Sequence, residues 1–282
     1  MTEEFPALYV VATPLGNLGD LTVRAAEVLR RVPWVAAEDT RHSAPLLRHL
    51  GSPARLLPAH EHNEEAAAQQ VIERLAAGDS VALISDAGTP AVSDPGARIV
   101  ARVREAGYRV VPLPGPCAAV AALSASGLGA PHWLFHGFLP VKARQREETL
   151  RELAALPCAL VFYEAPHRIL ETMLALADTL GPVRRVVIAR ELTKLFETIH
   201  VCPLGEALAW LEADANRQRG EFVLIIDAPE AEDDDDVEAG RVLQLLLDDG
   251  LPVRQAAKLA HAITGAPKNA LYERALALRG DK

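Results

Sequence analysis

Short apolar runs alternate with longer amphipathic segments through the first part of the chain. Residues 9–12 and 81–84 are continuously apolar, which indicates strands that are covered on both faces, as in a parallel sheet. Turn and capping residues predict one helix start near Asp20 and Thr22, and another at residues 94–96 with Pro95 in its first turn. The pattern predicts a doubly wound α/β domain with strands at residues 8–13, 34–37, 55–58, 81–85 and 109–113.

A turn rich in proline and glycine, residues 112–116, separates this pattern from a second one. It leads into a predicted helix of small residues, 117–126, and we expect the hinge between two domains there. A predicted strand at 198–201 follows the strand at 185–189 so closely that antiparallel pairing and a mixed sheet are expected. The sequence therefore predicts two α/β domains, residues 1–114 and 115–229. Other strands of the second domain are predicted at 133–138, 159–163 and 222–227, and helices at 142–155, 167–180 and 204–215.

The last part of the chain has a charge pattern of its own. Residues 230–238 hold seven carboxylates, whose mutual repulsion predicts a solvated linker. Residues 239–282 hold seven Lys and Arg against four Asp and Glu, and their helical segments with a turn at 264–267 resemble a helix-turn-helix. This tail either packs as an appendage or contacts nucleic acid. The net charge of −9 argues against a nucleic-acid partner, but the acidic run concentrates much of it in one place.

Composition excludes several classes of protein. Half of the 282 residues are hydrophobic and 24% are charged, which is the balance of a globular chain. The longest membrane-like run, residues 117–123, is far shorter than the roughly 20 residues that span a bilayer. Acidic residues follow Met1 where a secretory signal needs basic ones, so we expect a cytoplasmic protein without a membrane partner. The three cysteines stand far apart and His60 and His62 lack further spaced ligands, so no metal site is predicted.

Two loops at the predicted carboxyl ends of strands are candidates for ligand binding, because open α/β sheets bind ligands at this edge. The loop that begins Pro14-Leu15-Gly16 matches neither the dinucleotide-binding nor the P-loop pattern. The loop at residues 85–96 contains two Asp, two Pro and two Gly, and its small residues allow a ligand to approach the backbone. Asp86 and Asp94 without a clear third ligand give little support to a metal ion.

Five ordered segments carry a resemblance to a known family. They are residues 15–20 (LGNLGD), 37–41 (AEDTR), 85–90 (SDAGTP), 114–118 (PGPCA) and 162–168 (FYEAPHR), and further matches extend over essentially the whole chain. The sequence resembles the tetrapyrrole (corrin/porphyrin) methylase family, and within it the members that modify ribosomal RNA. The resemblance implies methyl transfer from S-adenosylmethionine to the ribose 2′-hydroxyl of a cytidine in the decoding region of small-subunit (16S) ribosomal RNA. It also implies a homodimer.

The same resemblance implies where the cofactor binds. It would lie in a cleft between the two α/β domains, against small and apolar residues. Cys117 stands where the family often has a serine, but a small polar side chain is retained. The expected cofactor-binding residues are Pro14, Leu15, Gly16, Asp86, Ala87, Gly88, Pro90, Val92, Ala118, Ala119, Phe138, Tyr163 and Ala189.

Some group must accept the proton of the ribose hydroxyl, because that hydroxyl has a high pKa. We hypothesise that Glu191 or Lys194 accepts or relays this proton, while Arg41 and Arg190 position phosphate or ribose. Alternatives stay open, since Glu191 and Lys194 equally suit a surface ion pair. Other acidic candidates follow the second strand, where Glu38 and Asp39 also suit a helix cap.

RNA contacts are expected to be made by basic side chains rather than by stacked aromatic residues, which form only 5% of the chain. Two other functions remain open: a methyltransferase of a tetrapyrrole or another metabolite, which a closed apolar cleft would favour, and a ribosome-assembly protein without catalytic activity. The basic candidates for RNA contact are Lys142, Arg144, Arg146, Arg254, Lys258 and Lys268.

Overall fold

A computed structural model describes residues 6–229 and 234–280 of the protein. The chain separates into two compact units, and the first of them ends at Asp227. The first unit contains two five-stranded sheets, and the second contains the helical tail. Two α/β domains with a helical appendage were predicted, and this fold class is confirmed.

All strand pairs of the first sheet are parallel, in the order β3-β2-β4-β1-β5. Successive residues of a strand point to opposite faces of the sheet. Val11 therefore packs towards α1 and α2, whereas Leu8 packs towards α3 and α4. Helices on both faces of a parallel sheet make the predicted doubly wound arrangement. Its strands are β1 Ala7–Val11, β2 Trp34–Ala37, β3 Arg55–Pro58, β4 Val81–Ile84 and β5 Arg109–Leu113, and its helices are α1 Val23–Arg31, α2 Thr40–Leu50, α3 Glu64–Ala76 and α4 Ala97–Glu105.

One predicted helix start is confirmed at Thr22, and the other needs correction. Helix α1 is capped by the Thr22 hydroxyl, which accepts a hydrogen bond from the amide of Ala25, whereas Asp20 ends a separate short 3₁₀ turn. Helix α4 begins only after Gly96, whose φ of +131° is not helical. Pro95 therefore lies outside the first turn of α4.

The second sheet is mixed, as predicted, in the order β6-β7-β10-β8-β9. Strands β6 and β7 are parallel, and the other neighbours are antiparallel. Helix α5 packs on one face of this sheet, and α6, α7 and α8 pack on the other. The strands are β6 Trp133–Phe138, β7 Ala159–Glu164, β8 Arg185–Arg190, β9 Thr198–Pro203 and β10 Phe222–Ile226, and the helices are α5 Ala118–Ser124, α6 Ala143–Ala154, α7 Ile169–Leu180 and α8 Leu204–Glu212.

The second unit has three helices in its described part, α9 Asp234–Asp248, α10 Val253–Thr264 and α11 Lys268–Gly280. Alanine and leucine side chains from all three form its core. Helix α9 begins inside the acidic run, so residues 234–238 are helical rather than part of the expected linker; residues 230–233 lie outside the described residues. Within the described part of the chain, every helix is too short or too polar to span a bilayer.

Candidate active site

A cleft of about 420 Å³ lies between the two α/β domains of the first unit, at the carboxyl end of the parallel sheet. This volume falls within the range of about 300–1,000 Å³ that is usual for small-molecule sites. The first wall consists of Leu15, Glu38 and residues from the loop after β4. The second wall consists of Cys117 and Ala118, Phe138, residues 163–166, Leu192 and residues 221–223.

Hydrogen bonds tie the loop after β4 to its neighbours. The amide of Thr13 donates to the carbonyl of Gly88 at 2.8 Å, and the amide of Gly88 donates back to Thr13 at 3.0 Å. The hydroxyl of Thr89 donates to the carbonyl of Pro116 at 2.9 Å. Gly88 has a φ of +83°, and a Cβ on it would lie 3.3 Å from Leu15, so both conformation and space favour glycine. These bonds join the segments around Thr13, Gly88 and Pro116 at the cleft.

Tyr163 forms the aromatic part of the second wall. Its ring meets those of Phe135 and Phe138 edge-on, at centroid distances of 4.9 and 5.8 Å. Its hydroxyl accepts a hydrogen bond from the amide of Ala119 at 3.1 Å. Burial, followed by the neighbouring Cys117, raises the pKa of Tyr163 far above its usual value. The phenol therefore stays protonated and presents an apolar ring to the cleft.

Acidic side chains dominate the charge of the cleft, and the described residues that line it include no Lys, Arg or His. Burial raises the pKa of Asp94 to about 6, and the negative charges of Glu38 and Asp86 add to this shift. Burial also raises the pKa of Glu38, with Asp86 as the next cause. Such a lining attracts cations and repels anions. The five acidic residues are Glu38, Asp86, Asp94, Glu164 and Glu221.

Lys194 lies at the centre of an ionic cluster beside the second wall. Its Nζ donates to Oε1 of Glu191 and to Oε2 of Glu221, each at 2.8 Å. The amide of Glu221 donates to the same Glu191 oxygen at 3.0 Å. Desolvation opposes both charges, but the hydrogen bonds and the opposite charges outweigh it. They raise the pKa of Lys194 and lower that of Glu191, so both groups are ionised at neutral pH.

Comparison with known proteins identifies the family. Residues 7–208 match the family described as Tetrapyrrole (Corrin/Porphyrin) Methylases. The chain belongs to this family. Residues 233–279 of the methylase match a domain described as RsmI C-terminal HTH domain, in agreement with the helix-turn-helix expected in the tail.

The methylase is similar over almost its whole length to two proteins named Ribosomal RNA small subunit methyltransferase I. The protein from Pseudomonas aeruginosa is 51% identical over 276 residues, which cover 97% of this chain and 98% of the relative. The protein from Escherichia coli O157:H7 is 50% identical over 274 residues, which cover 97% of this chain and 96% of the relative.

Solved structures share the fold of the methylase at low sequence identity. The cobalt precorrin-4 methyltransferase CbiF is 18% identical, with a TM-score of 0.60 over 80% of this chain and 97% of that chain. The uroporphyrin-III C-methyltransferase of Thermus thermophilus, solved as a complex with S-adenosyl homocysteine, is 20% identical. Its TM-score is 0.55, with coverage of 78% of this chain and 97% of that chain.

Most of the expected cofactor-binding residues of the methylase meet at the cleft. Ala119 and Ala189 lie behind its surface: Ala119 donates to Tyr163, and Ala189 is buried under α5. Gly16 is exposed outside the lining, in contact with the side chain of Lys194. Pro14 and Pro90 also lie outside the lining. The expected residues in the lining are Leu15, Asp86, Ala87, Gly88, Val92, Ala118, Phe138 and Tyr163.

One of the two arginines expected to position phosphate or ribose is turned away from any substrate. Arg190 is buried, and its guanidinium donates to the carbonyls of Arg219 and Phe196, so its expected contact with phosphate or ribose is wrong. Arg41 is exposed outside the cleft lining, and it pairs with Asp39 at 3.2 Å. Asp39 caps α2, which was one of the alternatives for that residue.

Arg146 is buried in the second domain, and its Nη2 lies 3.5 Å from a Glu171 oxygen. It cannot present its charge to RNA, so that expectation is also corrected. The other five basic candidates, Lys142, Arg144, Arg254, Lys258 and Lys268, are exposed.

Several cleft residues were missed as cofactor-binding or catalytic candidates. Asp94 was considered only as a weak metal ligand, and among the described residues no cluster of His, Cys, Asp and Glu suits a metal ion. Glu221, Phe222 and Val223 lie in a segment that carries the family resemblance, so that segment was the available signal for them. Leu192 follows β8 in residues 189–194, which carry the same resemblance and were the available signal for it.

Proposed function

We propose that this protein is an S-adenosylmethionine-dependent methyltransferase that methylates the ribose 2′-oxygen of a cytidine in small-subunit ribosomal RNA. The observation that carries the proposal is the identity of about one half, over almost the entire chain, to proteins named Ribosomal RNA small subunit methyltransferase I. The cleft described above supports the cofactor part of it independently.

The chemistry of the cleft fits S-adenosylmethionine. This molecule carries a sulfonium and an ammonium group against one carboxylate, so its net charge is positive, and an acidic lining without cations suits it. Ala87, Gly88 and Ala118 leave the backbone accessible, and Tyr163 offers an apolar ring to the adenine. We propose these four residues and Asp86 as the main cofactor contacts.

When bound, the cofactor supplies a methyl group activated by its sulfonium sulfur. The protein has to hold the hydroxyl in line with that methyl group, and alignment of this kind contributes about 7–11 kcal/mol to lowering the barrier. We propose that Lys194 and Glu191 hold the cleft loops in position. Their ionised, mutually bonded state disfavours the proton-accepting role expected for one of them.

The charge of the cleft also favours a nucleoside over a tetrapyrrole as substrate. A tetrapyrrole with carboxylate side chains would meet five acidic residues and no lining cation. Exposed Arg254, Lys258 and Lys268 on the helical unit offer contacts to RNA phosphates instead. We propose small-subunit ribosomal RNA, either free or in the assembled small subunit, as the substrate and the tail as an RNA-binding element.

We also propose that the protein is a homodimer. Strand β9 is an outer strand of the second sheet and exposes Ile199 and Val201 on one face, and Leu195 and Phe196 just before it are 88% and 66% exposed. A second copy of the chain would cover this apolar edge. Light scattering is expected to give a dimer for the wild type and a monomer for Ile199→Glu combined with Val201→Glu; a monomeric wild type contradicts the proposal.

Labelled methyl transfer tests the enzymatic function. Small subunits from a strain that lacks the modification are incubated with S-adenosylmethionine carrying a labelled methyl group, beside free ribosomal RNA and a tetrapyrrole. We expect label on a ribose of the small-subunit RNA. Label in the tetrapyrrole alone supports the metabolite enzyme, and cofactor binding without any transfer supports a non-catalytic assembly protein.

A further inference from the structure

We propose that Asp94 is the catalytic proton acceptor, and that the positive charge of the bound sulfonium controls when it takes up the proton. This inference rests on the proposed methyl transfer to a hydroxyl and adds the residue that completes it.

Asp94 lines the cleft from the end of the loop after β4. The lining also includes Glu38 and Asp86 on the first wall and Tyr163 on the second. The carboxylate of Asp94 interacts electrostatically with all three. It is therefore available to a substrate that enters the cleft between the walls.

The neighbours of Asp94 raise its affinity for a proton. Burial is the largest cause of the raised pKa, and the charge of Glu38 is the next. Glu164 and Glu221 also line the cleft, but each is paired with a basic side chain outside the lining, Arg168 and Lys194 respectively. The Ser85 hydroxyl acts to lower the pKa of Asp94, but burial and the charges of Glu38 and Asp86 outweigh it. A proton acceptor works best when its pKa lies near the working pH, and Asp94 meets this condition at about 6.

The other acids of the cleft are less suitable. The oxygens of Glu164 accept bonds from the amide of Ala165 at 2.7 Å and from the Thr172 hydroxyl at 2.6 Å, and the side chain is buried. Asp86 already accepts a bond from the amide of Asp39. Glu221 is paired with Lys194 at 2.8 Å, so Glu38 is the remaining rival, and the experiment below separates it from Asp94.

Charge balance links the methyl transfer to the proton transfer. The ribose oxygen forms a bond to the methyl carbon while the carbon–sulfur bond breaks, the sulfur keeps that electron pair, and the hydroxyl proton passes to Asp94. A cation in the cleft lowers the pKa of Asp94 and keeps it ionised before the reaction. Once sulfur becomes neutral, the acidic neighbours raise the pKa again, so Asp94 then binds the proton.

Proton release on cofactor binding tests this coupling without any turnover. Isothermal titration calorimetry at pH 6, in buffers of different ionisation enthalpy, counts the protons released when S-adenosylmethionine binds. We expect about half a proton for the wild type, because a group with a pKa near 6 is about half protonated there. We expect no release with S-adenosylhomocysteine, which lacks the sulfonium charge.

Variants identify the titrating group. Asp94→Asn is expected to bind S-adenosylmethionine without releasing protons, and Glu38→Gln to move the release to lower pH because it removes a negative neighbour. Asp178→Asn, an exposed carboxylate on α7 outside the lining, is the matched control and should behave as the wild type. Release that persists in Asp94→Asn and vanishes in Glu38→Gln overturns the proposal in favour of Glu38.

Turnover distinguishes failure of this proposal from failure of the proposed function. Asp94→Asn should lower methyl transfer to small subunits at pH 7.5 by about 100-fold or more. Equal transfer by Asp94→Asn and the wild type overturns the role of Asp94 and leaves the function intact. Absence of transfer by the wild type, with proton release as expected, contradicts the assigned substrate and leaves the charge coupling intact.

Discussion

The side chain of Lys194 lies across the backbone of Gly16, so close that a Cβ on Gly16 would come within 2.4 Å of Lys194 Cγ. Gly16 belongs to the loop after β1 in the first domain, and Lys194 to the loop after β8 in the second. Glu191 and Glu221 hold the amine from the second domain. The contact joins the two domains beside the cleft, and it requires the absence of a side chain at residue 16.

Gly16→Ala should lower methyl transfer because the new methyl group displaces Lys194. Gly16 does not have a positive φ, so alanine adds a steric conflict without backbone strain. We expect a loss of about 10-fold in kcat with little change in the Kd of S-adenosylmethionine, since small displacements in positioning elements have effects of this order. Steady-state kinetics and calorimetry measure the two quantities.

The double variant shows whether Gly16→Ala acts through Lys194. Lys194→Met alone should also lower kcat, and combining it with Gly16→Ala should add little, because both changes remove the same contact. Losses that multiply in the double variant would mean that residue 16 acts elsewhere. Full activity of both Lys194→Met and Glu191→Gln would end the positioning role of this cluster.

Gly220→Ala should destabilise the protein more than another glycine replacement with similar backbone strain. Gly220 has a φ of +88°, and a Cβ there would lie 2.4 Å from Glu191 Cγ. Gly181 has a φ of +90° with nothing within 4 Å of its Cβ position, so Gly181→Ala reports the strain alone. Urea unfolding should show an extra loss of about 1–3 kcal/mol for Gly220→Ala. Equal losses would show that Glu191 moves aside freely.

Tyr163→Phe should affect folding more than cofactor binding. The variant removes the oxygen that accepts the amide of Ala119, which costs about 1 kcal/mol in the free energy of unfolding. The ring remains, so the Kd of S-adenosylmethionine should change by less than about threefold, a small free-energy difference. A loss of affinity of tenfold or more would mean that the hydroxyl contacts the cofactor directly.

Asp94→Asn should stabilise the ligand-free protein at neutral pH. The folded state raises the pKa of Asp94 from 3.8 to about 6, so it binds more protons than the unfolded state within this range. The stability of the wild type therefore falls, relative to the variant, as pH rises from about 4 to 6. Because Asp94 is only partly buried, we expect a gain of the order of 1 kcal/mol for Asp94→Asn at pH 7.5 and almost none at pH 4. Urea unfolding of the wild type and Asp94→Asn at pH 7.5 and pH 4 measures this difference in the free energy of unfolding. A difference of equal size at both pH values contradicts the raised pKa of Asp94.

Strands and helices could be predicted from the sequence wherever a regular pattern of apolar residues marks the buried positions. The bounds predicted for β5 agree with the structure because an apolar run ends there in a Pro-Gly-Pro turn. Strand β1 was predicted to start one residue too late and to end two residues too late, because Thr13 looks like a strand residue but forms a single bridge to Gly88. Thr13 and Gly88 lie far apart in the chain, and no periodicity reports such a contact.

The site was less predictable because its chemistry depends on what each side chain meets after folding. The loop that holds Asp86, Ala87 and Gly88 was a ligand-binding candidate because it is rich in small residues and follows a strand, and the family resemblance implied these three residues as cofactor contacts. Arg190 also lies at the end of a strand, but its guanidinium turns inward to backbone carbonyls, and the sequence cannot distinguish that outcome from an exposed cation. The pKa of Asp94 is raised by burial and then by the charge of Glu38, which comes from another loop.

A crystal structure of the protein with a non-reactive analogue of S-adenosylmethionine tests whether the acidic cleft between the two α/β domains is the cofactor site. The proposal predicts density for the analogue against residues 86–88, Ala118 and Tyr163, with its cationic groups near Asp86 or Asp94. Density outside the cleft, for example in the groove lined by Tyr9, Arg24 and Arg109 on the first domain, would contradict it.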